Sequence, residues 1–347
     1  MTSTPVVHMV CTDAFAGVER LVLAHAEWAA RQGTEVHVIG GAEGAMRGPL
    51  VEAGARWVPA RTRSEALAGL VSTPRRSILV THMTEADLLG AMVRRPRALR
   101  QVSWRHFASP RGSRAAVRAL GAWSARGLAG QVAVSEYVAS HVDGACVVVR
   151  SGVPVRPATD VRRHTTVVIA QRLEPEKDTA TAVRAWSHAR LPAPWRLVIA
   201  GDGSERQALE RLVQRLGVDG SVDFLGYRAD VAALLSSAAM AVAPTPREGL
   251  GLSAIEAMAA GVPVVASAAG GHLETVGAVA PELLFTSADA ASAARVIARL
   301  ADDRDARDAH GTRLRAHQRR HLSADTQHAA ALDAVMRAGT SDVLVPA

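Results

Sequence analysis

The chain has no asparagine, one lysine and two cysteines in 347 residues, and each scarcity excludes something. Without asparagine there is no N-glycosylation acceptor. Cys11 and Cys146 lie far apart, with neither the spacing of a zinc site nor the density of a disulfide-stapled secreted domain, which suits a reduced, cytoplasmic compartment. No apolar run approaches the roughly 20 residues needed to cross a bilayer. Met1-Thr2-Ser3-Thr4-Pro5 lacks the basic-then-apolar layout of a signal peptide, so no membrane insertion is expected. Aromatics make up 3% of the residues. That leaves little on which to stack bases, so the net charge of +7 and pI near 10.6 do not indicate a nucleic-acid partner.

Much of the positive charge lies between Arg94 and Arg126. Within that stretch Gly112 to Leu128 has helical periodicity, with Val117, Leu120 and Trp123 on one side and arginines, Arg114 and Arg118 among them, on another. This pattern fits either a solvated helix face or peripheral contact with an anionic membrane at its inner face.

Hydrophobic residues make up 48% of the chain, enough for two domains with cores of their own. Apolar runs predict strands at Val6–Val10, Glu35–Ile39, Ser77–Thr81, Gln101–Trp104, Gln131–Val134 and Cys146–Val149, with a helix over Val18–Arg31. A stretch of proline, arginine and threonine, Pro154 to His164, breaks the pattern as a linker would. A second series follows: strands at Val167–Ala170, Arg196–Ala200, Val222–Leu225, Met240–Ala243, Val262–Ala266 and Leu283–Phe285, with helices between them. Strand–helix alternation predicts parallel α/β sheets covered on both faces. The expected domains are residues 1–155, residues 156–325 and a last helix, 326–347, that crosses back to the first domain.

Two segments carry chemistry. Lys177, the only lysine among 40 basic residues, sits in Arg172-Leu173-Glu174-Pro175-Glu176-Lys177 at a strand exit, where a compact ammonium would meet a phosphate as a point charge. The second segment runs from Glu248 to Gly261. Gly249 and Gly251 precede a helix whose unpaired N–H groups and dipole favour an anion. Glu256 then falls in an otherwise apolar helix, where a carboxylate needs donors such as sugar hydroxyls.

With Glu248 and Glu256 separated by seven residues inside EGLGLSAIEAMAAGVPVVAS, the chain resembles the retaining glycosyltransferases of family 4, part of group 1. Further landmarks fall in that family's order: Ala16-Gly17 at the first strand-to-helix turn, His106 after the fourth expected strand, Arg172 with Lys177, Gly201-Asp202-Gly203 and Gly226-Tyr227. Two positions depart from it: Ala16 replaces the first of two glycines, and Ser151-Gly152-Val153 replaces Asn-Gly-Val.

The resemblance implies the GT-B architecture, two Rossmann-like domains facing across a cleft. It implies transfer of a hexosyl or N-acetylhexosaminyl group from a UDP-, GDP- or dTDP-sugar to a hydroxyl acceptor, with no cofactor or metal. Arg172 and Lys177 would stabilise the diphosphate leaving group, Glu248 would hold sugar hydroxyls, and His106 would hydrogen-bond the sugar near the reacting carbon. Gly17, Gly226, Tyr227, Gly249, Leu250, Gly251, Leu252 and Glu256 would bind the donor, Glu256 at the ribose. A non-catalytic nucleotide-sugar-binding subunit and a nucleotide-sugar epimerase remain open on the same fold. A nicotinamide oxidoreductase does not fit, because Cys11 to Gly17 holds one glycine where three are needed.

Overall fold

The computed structural model describes residues 4–112, 115–157 and 163–340. The chain divides into two compact units, the first comprising residues 1–150 with 327–347 and the second residues 151–326. No helix among the described residues is long and apolar enough to cross a membrane.

The first unit is built on seven parallel strands: β1 (Val6–Val10), β2 (Val36–Ile39), β3 (Arg56–Val58), β4 (Ile78–His82), β5 (Arg100–Arg105), β6 (Gly130–Ala133) and β7 (Val147–Val148). Their order is β3-β2-β1-β4-β5-β6-β7. The chain winds outward from β1 to β3 and returns at β4 beside β1, so the strand order reverses there, and ligands of open α/β sheets bind at such reversals. β1 and β4 are buried along their whole length, which is why each reads as a continuous apolar run. β3 carries no such run. It is a three-residue edge strand with exposed Arg56 and half-buried neighbours, and apolar periodicity does not reveal it.

The second unit has six parallel strands: β8 (Thr166–Ala170), β9 (Arg196–Ala200), β10 (Val222–Gly226), β11 (Met240–Ala243), β12 (Val264–Ser267) and β13 (Leu284–Phe285). Their order, β10-β9-β8-β11-β12-β13, reverses between β8 and β11. One continuous core runs through this unit, from Val167, Val168 and Ile169 to Ile255, Met258 and Ile297. The helix Ala290–Asp302 joins it through Ala293, Val296, Ile297 and Leu300, an apolar stripe at helical spacing, and Asp289 caps it by accepting from Ser292 N at 2.9 Å. The division between units falls at Arg150, five residues before the expected boundary. The helix Ala324–Thr340 places Ala331, Ala334 and Val335 in the core of the first unit.

Between β5 and β6 the helix spans Ala115–Ala125, inside the expected range; Ser113 and Arg114 lie outside the described residues. Its buried side includes Gly121 and Ser124, whereas Leu120 and Trp123 are 53% and 47% exposed. Leu120 and Trp123 therefore face outward, while Val117 is half-buried.

Candidate functional site

In the second unit, Lys177 follows β8 and Glu248 follows β11, the two strands flanking the reversal in strand order. That topology brings residues 71 positions apart into an ion pair, with Lys177 Nζ 2.7 Å from Glu248 Oε2 and each side chain about one-fifth exposed. Burial pushes the Glu248 carboxyl up, but the adjacent Lys177 ammonium, its hydrogen bond, His272 and the Gly249 N–H outweigh it and hold the group below its ordinary value. Glu248 is therefore ionised at neutral pH.

Lys177 ends a short 3-10 turn, Pro175–Lys177, and Asp178 behind it adopts a left-handed conformation (φ 47°) to cap the next helix. The turn is braced from beneath. Gln171 Nε2 donates to Lys177 O and to Thr179 Oγ1, both at 3.0 Å, and buried Thr245 donates to Gln171 Oε1 at 3.3 Å. Thr245 follows β11, so this network ties together the loops that carry Lys177 and Glu248.

The Glu248–Gly251 loop docks on the turn Gly270–His272, where glycine is required. A Cβ on Gly271 would stand 2.3 Å from Leu250 Cα, and the Gly271 N–H donates to Glu248 O at 2.9 Å. Gly251 has φ +95° and opens the helix Leu252–Ala259 with no side-chain cap. Its first N–H groups are thus available to an anion. His272 is buried, and burial, reinforced by Lys177, brings its pKa to about 4 against the opposing pull of Glu248 and of a hydrogen bond with the Ser267 backbone.

The remaining expected donor residues lie around this pair at different places. Glu256 is half-buried on the helix after Gly251. Leu250 packs in the core, so only its backbone is available to a ligand, while Gly249 is half-buried and Leu252 is 38% exposed. Arg172 is not part of the buried pair; its side chain is 67% exposed and its guanidinium meets Glu176 at 2.9 Å. Gly226 ends β10 at the sheet edge, two strands from β8, and Tyr227 just beyond it is 71% exposed. Among the described residues no group of His, Cys, Asp or Glu is arranged to hold a metal. The chain does contain one Asp-x-Asp, Asp303-Arg304-Asp305, and it begins a helix, with Asp303 accepting from Ala306 N at 2.8 Å.

In the first unit, Gly17 begins the helix Gly17–Arg31 and is exposed, with no atom within 4 Å of the point where a Cβ would stand. The Glu19 carboxylate reaches back to Ala16 N at 2.9 Å. His106 follows β5 at the end of an apolar face. Val6 and His8 on β1, Val80 and His82 on β4, and Val102 and Trp104 on β5 share the parity that points into the same core. The histidines form a staircase: His8 Nδ1 lies 3.1 Å from His82 Nε2, and His82 Nδ1 lies 2.9 Å from His106 Nε2. His25 and His328 pack over it from two helices, with ring centroids 5.5 Å apart.

The His106 loop is pinned on its far side. Arg105 Nη1 pairs with Asp143 at 2.8 Å and its Nη2 donates to Ser109 O at 2.8 Å, while buried Arg111 meets buried Asp87 at 2.6 Å. Sequence reasoning missed Gln171, Thr245, His8 and Asp87. The inward strand parity shared by His8, His82 and His106 was the one available signal.

Residues 159–317 match the family model "Glycosyl transferases group 1". Among curated relatives, the chain is 34% identical over 135 residues to a 2-deoxystreptamine glucosyltransferase of Streptomyces kanamyceticus, covering 38% of this chain and 35% of that one. It is 40% identical over 123 residues to a GDP-mannose-dependent α-(1-6)-phosphatidylinositol dimannoside mannosyltransferase of Mycobacterium tuberculosis, covering 33% of this chain and 32% of that one. The matched segment thus spans about a third of the length of either relative. Among solved structures, Anabaena HepE in complex with UDP superposes with a TM-score of 0.80 at 18% identity, over 95% of this chain and 99% of that one. AviGT4, a glycosyltransferase involved in avilamycin A biosynthesis, superposes with a TM-score of 0.72 at 19% identity, over 98% and 99%. The chain has the GT-B fold, and its second unit is a glycosyl transferases group 1 domain.

Proposed function

We propose that this chain is a metal-independent, retaining glycosyltransferase that moves a hexosyl or N-acetylhexosaminyl group from a nucleotide diphosphate sugar to a hydroxyl acceptor. The observation that carries the reading is the Lys177–Glu248 pair at the strand-order reversal, in the unit whose Gly251 helix start is uncapped. A diphosphate suits that combination of a compact cation and free backbone N–H groups.

In this reading the bond between the anomeric carbon and the diphosphate oxygen breaks, and its electron pair passes to that oxygen. Lys177 and the N–H groups after Gly251 meet the growing charge in place, which is the largest kind of catalytic contribution. Arg172 adds a second cation when its exposed pairing with Glu176 gives way, a loss of at most about 1 kcal/mol. Glu248, kept ionised, accepts from sugar hydroxyls, and Glu256 from the ribose. The acceptor oxygen bonds to the anomeric carbon from the face the diphosphate leaves, and its proton passes to the departing diphosphate oxygen.

HepE has been solved with UDP and with UDP-glucose, which makes uridine the first base to test. The two curated relatives name a specialised metabolite and an envelope lipid as acceptors, and both classes suit this chain. The deciding experiment screens UDP-, GDP-, dTDP- and ADP-sugars with EDTA present, first by thermal shift and then by transfer to lipid and aminocyclitol acceptors. Stabilisation by one donor, followed by transfer with the anomeric configuration kept, supports the proposal. Donor epimerised without acceptor would make the chain an epimerase, and binding without turnover a partner subunit.

The outward face of Ala115–Ala125 favours a further reading, peripheral contact with an anionic membrane. Leu120 and Trp123 stand exposed among Arg118 and Arg126, the combination that inserts at a lipid headgroup boundary. Trp123→Ser with Arg118→Ser should weaken sedimentation with phosphatidylglycerol vesicles, and equal sedimentation would overturn this reading.

A further inference from the structure

Of the histidine staircase only His106 has an expected place in the donor chemistry; His8 and His82 behind it have none. His8 and His82 have no solvent exposure, and His106 is half-buried at the end of the row. Each link in the row joins two ring nitrogens at hydrogen-bonding distance, 3.1 Å and then 2.9 Å. Burial keeps all three rings neutral at neutral pH: His8 is brought down to about 4, His106 to about 3 with Arg105 adding to the effect, and His82 falls well below its ordinary value.

Neutral imidazole carries one N–H, and a nitrogen-to-nitrogen hydrogen bond holds one proton. Three neutral rings in a row therefore have two fully bonded arrangements. In one, every ring is protonated at Nε2: His106 donates to His82, His82 donates to His8, and His8 is left with an N–H at Nε2. In the other, every ring is protonated at Nδ1, the donations run outward, and His8 keeps a bare lone pair at Nε2.

The surroundings of His8 Nε2 choose between them. That atom is buried with no hydrogen-bond partner among the described residues. The His8 ring stands edge-to-face with His25, centroids 5.2 Å apart, His25 in turn stands edge-to-face with Trp104, and His25 itself has neither nitrogen bonded. Buried N–H groups are left unpaired more rarely than buried acceptors. The Nε2-protonated arrangement places an N–H where nothing accepts it, and the Nδ1-protonated arrangement places only a lone pair there.

We propose that His8 and His82 fix the tautomer of His106, so that His106 offers a ligand a neutral Nδ1–H donor and no basic lone pair. His8 and His82 are positioning residues, acting through His106. This rests on the glycosyltransferase reading only for the identity of the ligand oxygen: His106 then donates to an oxygen of the sugar or acceptor and does not remove the acceptor proton, consistent with that proton leaving on the diphosphate.

The test is a long-range proton–nitrogen correlation spectrum of the histidine rings in the full-length, nitrogen-15-labelled protein at pH 7, assigned with His→Gln variants. The expected spectrum shows His8, His82 and His106 all protonated at Nδ1 and bare at Nε2. Protonation of His106 at Nε2, or both nitrogens part-protonated through averaging, overturns the proposal. In folded His82→Phe, the His106 ring should move toward the Nε2-protonated form, and kcat/KM should fall about tenfold, the worth of one neutral hydrogen bond. His106→Gln, which restores an N–H donor, should recover part of what His106→Ala loses. A wild-type protein that transfers no sugar would count against the function proposed above while the ring spectrum still decides the tautomer.

Discussion

The two units share a sheet topology and differ in what they bury. The second has one continuous apolar core, and its chemistry sits in loops at the strand ends. The first divides its apolar residues into three clusters, and its interior also holds His8, His25, His82, Asp87, Arg105 and Arg111. Recognition in the second unit is thus placed on a scaffold that would fold without it, whereas in the first unit the groups that orient His106 are themselves part of the core. Loss of a polar group should therefore cost activity in the second unit and stability in the first.

Acid gives the largest contrast. His8, His25, His82 and His106 are all depressed by burial. Each stays neutral in the folded protein while its unfolded counterpart takes a proton below about pH 6.5, so stability is lost as pH falls from there toward the folded values near 4 and 3. The loss is about 1.4 kcal/mol per pH unit for each such histidine, on the order of 8 kcal/mol for the four by pH 5. In the second unit His272 and His310 are shifted this way, and its depressed carboxyls Glu174, Asp223, Asp230, Glu248 and Glu282 lose their contribution at lower pH, below about 4.5. Hydrogen exchange followed peptide by peptide should show β1, β4 and β5 losing protection near pH 5 before β8 and β11 do. Simultaneous loss would break the comparison.

Next in size is Asp87→Ala. Asp87 accepts from Thr81, Ser103 and Arg111, and its side chain and that of Arg111 are each 1% exposed. Removing it leaves Arg111 Nε and the Ser103 hydroxyl buried without their acceptor, while Arg111 keeps Asp143 and Gln131, at a cost of about 3 kcal/mol in denaturant unfolding. The matching cut in the second unit, Asp223→Ala, breaks a pair with Arg196 that is about 40% exposed on each side, and should cost no more than about 1 kcal/mol.

The same difference decides what was legible in the sequence. Both sheets show as apolar runs because parallel strands are buried on two faces, and Lys177, Glu248 and Gly251 stand out because a lone lysine, a glycine-opened helix and a carboxylate before it are local signals. The pairing of Lys177 with Glu248 follows once β8 and β11 are known to be neighbours. The histidine row is not local: His8 and His82 are 74 positions apart and meet only through the β1–β4 register, in which Val10 is opposite His82. Gln171 and Thr245 are likewise ordinary residues until the two loops close on one another. Arg172 shows the converse, since its place in a motif does not prevent its side chain from pairing with its own turn.

Lys177→Ala should lower turnover by roughly 10²–10³-fold, the effect of removing one group that meets developing charge, with little change in melting temperature. Lys177→Arg should not restore it, because the planar guanidinium is longer and must displace the bond to Glu248 in a space fitted to an ammonium. Near-normal turnover in Lys177→Arg would show that only charge matters at this position.

Two glycines complete the comparison, and the smallest effect is at the second of them. Gly271→Ala places a Cβ 2.3 Å from Leu250 Cα and displaces the loop that carries Glu248, an overpacking cost of about 1–3 kcal/mol with loss of donor binding. Gly17→Ala meets nothing within 4 Å and begins a helix, so it should leave the melting temperature unchanged or raise it by the equivalent of up to about 1 kcal/mol. Its effect on turnover is then a clean reading of the first unit. If the stable Gly17→Ala protein loses donor affinity, a ligand approaches the backbone there more closely than a methyl group allows, and the first unit contributes to phosphate binding. If affinity is unchanged, no ligand approaches the Gly17 backbone that closely, and phosphate recognition does not depend on it.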